Sequence, residues 1–228
     1  MDTISVIPVI EVQWVVIGQT VLHLDAITME INFKNDFINF LKKLREKSID
    51  IGVMALPENS AYFLCLITYI YRENNLKIVE LGSGLLYSAL WMLYGIFISG
   101  KKGEIYTVEK NDEIYKESLR ILEEGSEILK IDLKEIIKPF KKDASLLKGD
   151  EFGKNIDILF LDIDKKLYLE SLNKFFPYIK KEGLIIAHNV ISHKDELKNF
   201  LEEISNFNKY FTIILETDPQ GISVSIKK

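Results

Sequence analysis

The sequence predicts an α/β protein: a doubly wound, mostly parallel seven-stranded sheet that ends in an antiparallel hairpin. Three observations point there. Short apolar runs at residues 77–81, 103–108, 134–138, 157–161 and 183–187 alternate with longer helical stretches at 85–99, 112–129, 166–179 and 193–206. Strand and helix alternating in this way imply parallel strands joined by right-handed crossovers. Two of the runs, IDILFL at 156–161 and GLIIA at 183–187, are continuously hydrophobic, as strands buried on both faces are. The last two runs, 211–216 and 221–226, are separated only by Thr217-Asp218-Pro219-Gln220. So short a link holds no crossover helix, and the pair must be antiparallel.

Length and composition set the frame for these elements. The chain has 228 residues, of which 47% are hydrophobic, enough for a buried core and too many for a disordered chain. With no repeat or long linker, one domain spanning 51–228, preceded by an N-terminal extension at 1–50, fits the usual ~100–200 residues per domain. Its 29 Lys and Arg against 34 Asp and Glu leave a net charge of −5, which argues against broad binding of nucleic-acid backbone while leaving a local basic face open. The single cysteine, Cys65, excludes an internal disulfide and a cysteine-based zinc cluster.

Within the extension, the apolar run from Ile4 to Ile17 is interrupted by Pro8, Glu11 and Gln13. It falls short of the ~20 apolar residues that span a membrane. No Lys or Arg precedes Lys34, so a secretory signal is not expected either, and a cytoplasmic location is. Val12, Trp14, Val15, Val16 and Ile17, then Val21 and Leu22 beyond Gly18-Gln19, suggest a small hairpin. An arm for a partner or for a homodimer is the other reading. Phe37, Phe40, Leu41 and Leu44 recur at helical spacing, and a second helix is expected from Pro57 to Tyr71.

The first strand-to-helix junction reads Ile78-Val79-Glu80-Leu81-Gly82-Ser83-Gly84-Leu85-Leu86-Tyr87-Ser88. Two glycines permit a tight turn and close backbone approach, and the following helix offers free N–H groups, so a ligand crevice forms at the strand's carboxyl end. The third glycine of a dinucleotide fingerprint is absent, since position 87 is Tyr. Glu80 would repel a pyrophosphate but suits a ligand bearing an ammonium group; the plain alternative is a glycine turn that binds nothing. Glu109, at the tip of the second strand, is placed to accept hydrogen bonds from ribose hydroxyls. Asp143, before Ala144, either reaches an adenine amino group or caps a helix, and both roles are compatible.

These residues resemble an S-adenosylmethionine-dependent O-methyltransferase of the catechol and caffeoyl-CoA type, with its Rossmann-like methyltransferase fold. The resemblance runs from about Met54 to the C-terminus. Met54-Ala55-Leu56-Pro57-Glu58 is similar to the segment before that family's first core helix, where a Met packs near the cofactor. Glu80-Leu81-Gly82 followed by Tyr87-Ser88 resembles its E-I-G…G-Y-S, with Leu86 in place of the family glycine. The resemblance implies a cofactor site formed by Met54, Glu80, Gly82, Ser83, Gly84, Ser88, Glu109, Asp143, Ala144 and Asp162.

At the fourth strand tip stand Leu161-Asp162-Ile163-Asp164-Lys165, and at the fifth Ala187-His188-Asn189, where open α/β sheets place their chemistry. In the resembling family, an Asp on the first tip and an Asp-Asn pair on the second hold one divalent metal. Here Asp162 and Asn189 match, while His188 replaces the acidic ligand and favours Zn²⁺, Mn²⁺ or Fe²⁺ over Mg²⁺. Equally open are a metal-free site with His188 as general base and a strand-end histidine bonded to backbone. Lys165 stands three residues after Asp162, the spacing the family uses for its base. Tyr168 either lines the rim or packs, and His23 and His193 are expected outside the cluster, at the surface. Trp91, Tyr94 and Phe97 read as core, and Lys101-Lys102 and Lys141-Lys142 as solvated turns.

The leading expectation is methyl transfer to an oxygen of a small molecule, with S-adenosylmethionine as donor and a divalent metal (Mg, Mn or Zn) as an open question. The alternatives are a tRNA-modifying methyltransferase, a cofactor-binding homologue without activity and, more distantly, a dehydrogenase.

Overall fold

A computed structural model describes residues 20–228, with side chains from Lys34 onward. The chain order is α1 (Thr20–Asp50), α2 (Glu58–Ile70), β1 (Asn75–Leu81), α3 (Tyr87–Ile98), β2 (Lys102–Glu109), α4 (Asp112–Leu129), β3 (Ile137–Lys141), β4 (Ile156–Leu161), α5 (Tyr168–Phe175), β5 (Ile179–His188), α6 (Lys198–Ile204), β6 (Tyr210–Leu215) and β7 (Ile222–Lys227). The seven strands form one sheet in the order β3-β2-β1-β4-β5-β7-β6. Pairing is parallel from β3 through β5, and β7 lies antiparallel to both β5 and β6. This is the doubly wound sheet with a closing hairpin that the sequence predicts.

Strand side chains alternate between faces, and two apolar layers result. Leu76 and Ile78 of β1, Ile158 and Phe160 of β4 and Ile186 of β5 face a core shared with α1, α2, α3 and α4. Val79, Leu81, Leu159, Leu161, Ile185 and Ala187 face the other, shared with α5 and α6. Phe37, Phe40, Leu41 and Leu44 of α1 are buried in the first layer. Glu80 and His188 share the parity of that layer, so both point toward the α2 and α3 side.

Several boundaries differ from expectation. The third strand starts at Ile137 rather than at 134, because Asp132 accepts the Lys134 N–H and winds 133–135 into a 3₁₀ turn. The stretch 166–179 holds only two turns of α-helix between 3₁₀ turns, and Ile179 already belongs to β5. The last helix begins at Lys198 rather than at 193. Of the expected hairpin, the part up to Gln19 lies outside the described residues, whereas Val21 and Leu22 sit in helix α1 instead of a strand. Lys101 is not a solvated turn: its Nζ donates to the carbonyls of Thr68 at 3.2 Å and Tyr69 at 2.5 Å, and to that of Tyr71. It thereby satisfies backbone acceptors left over at the end of α2.

Candidate active site

Register brings the strand tips abreast. Leu81 of β1 pairs with Val108 of β2 and Leu161 of β4, and Leu161 pairs with Ala187 of β5. The next residue on each strand is therefore part of one row: Gly82, Glu109, Asp162 and His188. The β1 turn is locked into this row. Gly82 and Ser83 donate to the Val108 carbonyl at 3.0 and 3.1 Å, and Asp162 N–H donates to the Leu81 carbonyl at 2.9 Å. Gly82 has φ +92, and a Cβ there would lie 2.1 Å from the Asp162 carbonyl oxygen, so only glycine fits. Leu86, where the resembling family has glycine, keeps a left-handed φ of 68 with its side chain fully buried. The backbone thus keeps the conformation glycine favours, and burial of the leucine offsets the strain of roughly 1–3 kcal/mol.

Two cavities open along this row, and both touch Gly82, Glu109 and Asp162. The first, about 160 Å³, is lined by Val108, Lys142, Asp143, Ala144 and Leu167 among others. The second, about 320 Å³, is lined by Met54, Ser83, Gly84 and Ser88 among others. Glu109 accepts from Gly84 N–H at 3.2 Å and from Asn111 N–H at 2.7 Å. Asp143 caps a 3₁₀ turn, accepting from the N–H and hydroxyl of Ser145 at 2.8 and 2.7 Å, while also lining the first cavity. The capping role weighed for it is present, and the cap leaves it at the cavity wall.

Glu80 is fully buried. Ser88 donates to its Oε1, and Oε2 has no partner. Burial pushes its carboxyl up to about 8; the Ser88 bond opposes this, and the charges of Asp162 and Glu109 add to it. Ser83 Oγ is likewise buried without a partner. Of the two, Ser83 lines the second cavity, and buried polar atoms left unsatisfied are rare enough to call for a partner.

A third cavity adjoins the β4 and β5 tips, lined by Met54, Asp162, Lys165, His188, Asn189, His193 and Gln220 among others. Half-buried His193 therefore lines the cluster instead of standing apart at the surface. Lys165 Nζ donates to Asp162 Oδ1 at 3.2 Å, to the Ile163 carbonyl at 3.0 Å and to Tyr168 OH at 3.0 Å. Tyr168 is buried, and its hydroxyl donates to the His188 carbonyl at 3.1 Å. It packs and ties the two tips together.

His188 is 2% exposed. Its Nε2 lies 3.3 Å from Asp218 Oδ2. Its Nδ1 lies 3.4 Å from Asp162 Oδ2 but is not aligned for a hydrogen bond. Burial alone would raise the Asp162 carboxyl; His188 and then Lys165 outweigh it and hold it below the ordinary carboxylate range. Asn189 donates its Nδ2 to Gln220 Oε1 at 3.2 Å, which leaves its carbonyl oxygen available. Among the described residues, no three His, Cys, Asp or Glu side chains gather to hold a metal. The donors at this spot are two such side chains plus an amide.

Sequence reasoning singled out most of this row, and the resemblance of Asp218-Pro219-Gln220-Gly221 to the polar loop before that family's last strand set this loop at the substrate's border; the bonds of Asp218 to Ser60 and His188 were not anticipated. Asp218 accepts from Ser60 Oγ and from the N–H groups of Gln220 at 2.7 Å and Gly221 at 3.2 Å. The only signal was its place in the polar link between the last two strands, since Ser60 is 158 positions away.

A family model described as O-methyltransferase matches residues 29–217. The chain belongs to that O-methyltransferase family, and transfer of a methyl group to oxygen is the class of its activity. It is 24% identical over 178 residues to the Dictyostelium discoideum protein named "Probable caffeoyl-CoA O-methyltransferase 2", covering 78% of this chain and 71% of that one. Among solved structures, the Bacillus cereus O-methyltransferase in complex with SAH superposes with a TM-score of 0.68 at 17% identity, over 83% of this chain and 91% of that one. The SAH-bound Podospora anserina methyltransferase PaMTH1 gives 0.67 at 15% identity, over 95% and 100%. These likenesses show the same fold. No helix of the described residues is long and apolar enough to cross a membrane.

Proposed function

We propose that this protein transfers the methyl group of S-adenosylmethionine to an oxygen of a small acceptor bound beside the β4 and β5 tips. The observation that carries the reading is the row of adjoining cavities that share Gly82, Glu109 and Asp162, the first reaching Asp143 and the second reaching Ser88, which bonds the buried Glu80. It ends against the cluster of Asp162, Lys165 and His188. The adenosine fits the first cavity, with Glu109 on the ribose hydroxyls and Asp143 and Ala144 at the base. The amino-acid end fits the second, where the free Glu80 oxygen, Ser83 and Ser88 meet its ammonium and carboxylate, and Met54 lines the same cavity. That proteins of the same fold are solved in complex with SAH supports the choice of cofactor.

At the reacting end, Lys165 holds Asp162 in place and brings positive charge to the acceptor oxygen as it becomes an oxyanion. Its three acceptors use all three ammonium hydrogens. The base role therefore needs one of those bonds to open as the acceptor enters. Proximity supplies the rest, by setting acceptor oxygen and methyl carbon in line. The residues at the place of the resembling family's divalent metal are Asp162, His188 and Asn189, with His188 Nδ1 3.4 Å from the Asp162 carboxylate. An ion held by them would supply a Lewis acid that makes an acceptor hydroxyl more acidic.

The test is calorimetric titration with S-adenosylmethionine, paired with detection of S-adenosylhomocysteine over a panel of small hydroxylated acceptors. One-to-one binding is expected, weakened at least about tenfold in Glu109→Ala, the loss of a charge-assisted hydrogen-bonded pair. Absence of binding with or without added Mg²⁺, Mn²⁺ or Zn²⁺ contradicts the reading.

A further inference from the structure

The sheet has two edges, and they are built differently. β3, at one edge, reads Ile137-Lys138-Pro139-Phe140-Lys141. Its proline and two lysines are the devices that keep an open edge from recruiting another strand. β6, at the other edge, reads Tyr210-Phe211-Thr212-Ile213-Ile214-Leu215. It carries no charge, no proline and no glycine, and its aromatic and β-branched residues are those that favour strand pairing. Its register with β7 is unbroken from Tyr210 to Leu215, so no bulge twists this edge away.

Among the described residues, β6 pairs with β7 alone. One face of the strand is held to the helices: Tyr210 is buried in the layer shared with α5 and α6, and Thr212 Oγ1 donates to the Ile204 carbonyl. The other face presents Phe211 and Ile213, which are 51% and 44% exposed.

Such a strand is its own complement. A half-turn about an axis perpendicular to the sheet lays β6 antiparallel to β6 of another copy, keeps the same face of both on the same side, and sets outward N–H groups against outward carbonyls. With Thr212 on the axis, Phe211 of each copy stands opposite Ile213 of the other, and the exposed apolar pair is covered. Charge agrees with this direction. Lys209 precedes the strand and Glu216 follows it; Lys209, although bonded to Glu203, is half exposed, and Glu216 is exposed. Antiparallel pairing brings the basic end of one copy to the acidic end of the other, whereas parallel pairing sets like charges side by side.

We propose that β6 is a dimer-forming edge whose occupant is β6 of a second copy, so that two sheets join into one. The area is small, and association in the micromolar range is expected. The pairing bears on the site, because β6 runs into Thr217 and Asp218, the residues that bond Ser60 and His188. It does not depend on the methyltransferase reading.

The experiment is sedimentation velocity of the full chain from about 1 to about 200 µM, the range a small interface calls for, with amide hydrogen exchange recorded at both ends of that range. A dimer is expected to form across it, and exchange at residues 210–215 to slow as it forms while exchange at 137–141 does not. Ile213→Lys should weaken the dimer at least about tenfold. Leu66→Lys, at an apolar position of α2 that is 51% exposed, should leave it unchanged. Circular dichroism checks that the variants fold, and Phe211→Lys decides if Ile213→Lys does not; the exchange measurement on the wild type needs neither. A monomer at every concentration overturns the proposal, and β6 amides protected in that monomer would point to a cover from the chain's own apolar run at 4–17. A dimer untouched by the β6 variants, one lost in Leu66→Lys, or one that leaves exchange at 210–215 unchanged overturns it as well.

Discussion

Glu80 shows how a single buried group couples the site to its surroundings. Its carboxyl lies at about 8, chiefly because it is buried, so near neutral pH it is mostly protonated in the free protein. An ammonium group placed against Oε2 favours the carboxylate, so ligand binding should release a proton from Glu80 below pH 8. Linkage then gives the sign: this contribution strengthens affinity as pH rises toward 8 and levels off above it. Calorimetry of S-adenosylmethionine binding at pH 7 in buffers of different ionisation enthalpy checks this. Proton release by wild type should exceed that by Glu80→Gln, and equal release contradicts the assignment. At this scale the glycines and tip carboxylates were legible, because a strand followed by Gly82-Ser83-Gly84 has few physical uses. The loop holding Asp218 was legible as a border of the site, but the role of Asp218 was not, because it depends on Ser60 and His188, which only the fold brings to it.

Elements were legible where one periodicity dominated. The continuous runs of β4 and β5 and the long amphipathic α4 stand where expected, and α4 starts at Asn111, whose side chain accepts from the N–H groups of Glu113 and Ile114. Misplacements arose where local side chain–backbone bonds ended an element early. Asp132 winds a turn in front of β3, and Asp164 does the same before α5. Neither is visible in hydrophobic spacing, since such caps compete with regular structure through short-range bonds. Lys101 illustrates a long-range cap, joining the end of α3's loop to the end of α2. Replacing it with Ala should lower stability by about 1 kcal/mol, or roughly 2–4 °C in Tm for a chain of this size. Thermal unfolding followed by circular dichroism measures it, and an unchanged Tm would show that water serves those carbonyls equally well.

For the whole molecule, sheet order does what no single element can. Parallel strands β1, β2, β4 and β5 end level with one another, so residues separated by more than a hundred positions share one edge. The antiparallel β7 then returns the chain beside β5, with Ile222 opposite His188, and so delivers Asp218 to the same place. The closing hairpin was legible from a four-residue link that leaves no room for a helix, and its contribution to the site was not. The central claim is that a methyl donor lies along this edge with its reactive end at Asp162, Lys165 and His188. A crystal structure of the protein with S-adenosylhomocysteine tests it most directly. The account expects the ribose against Glu109, the amino-acid end against Glu80 and Ser88, and the sulfur facing Asp162. A nucleoside bound away from Gly82 and Glu109, or one whose sulfur points away from Asp162 and Lys165, would contradict it.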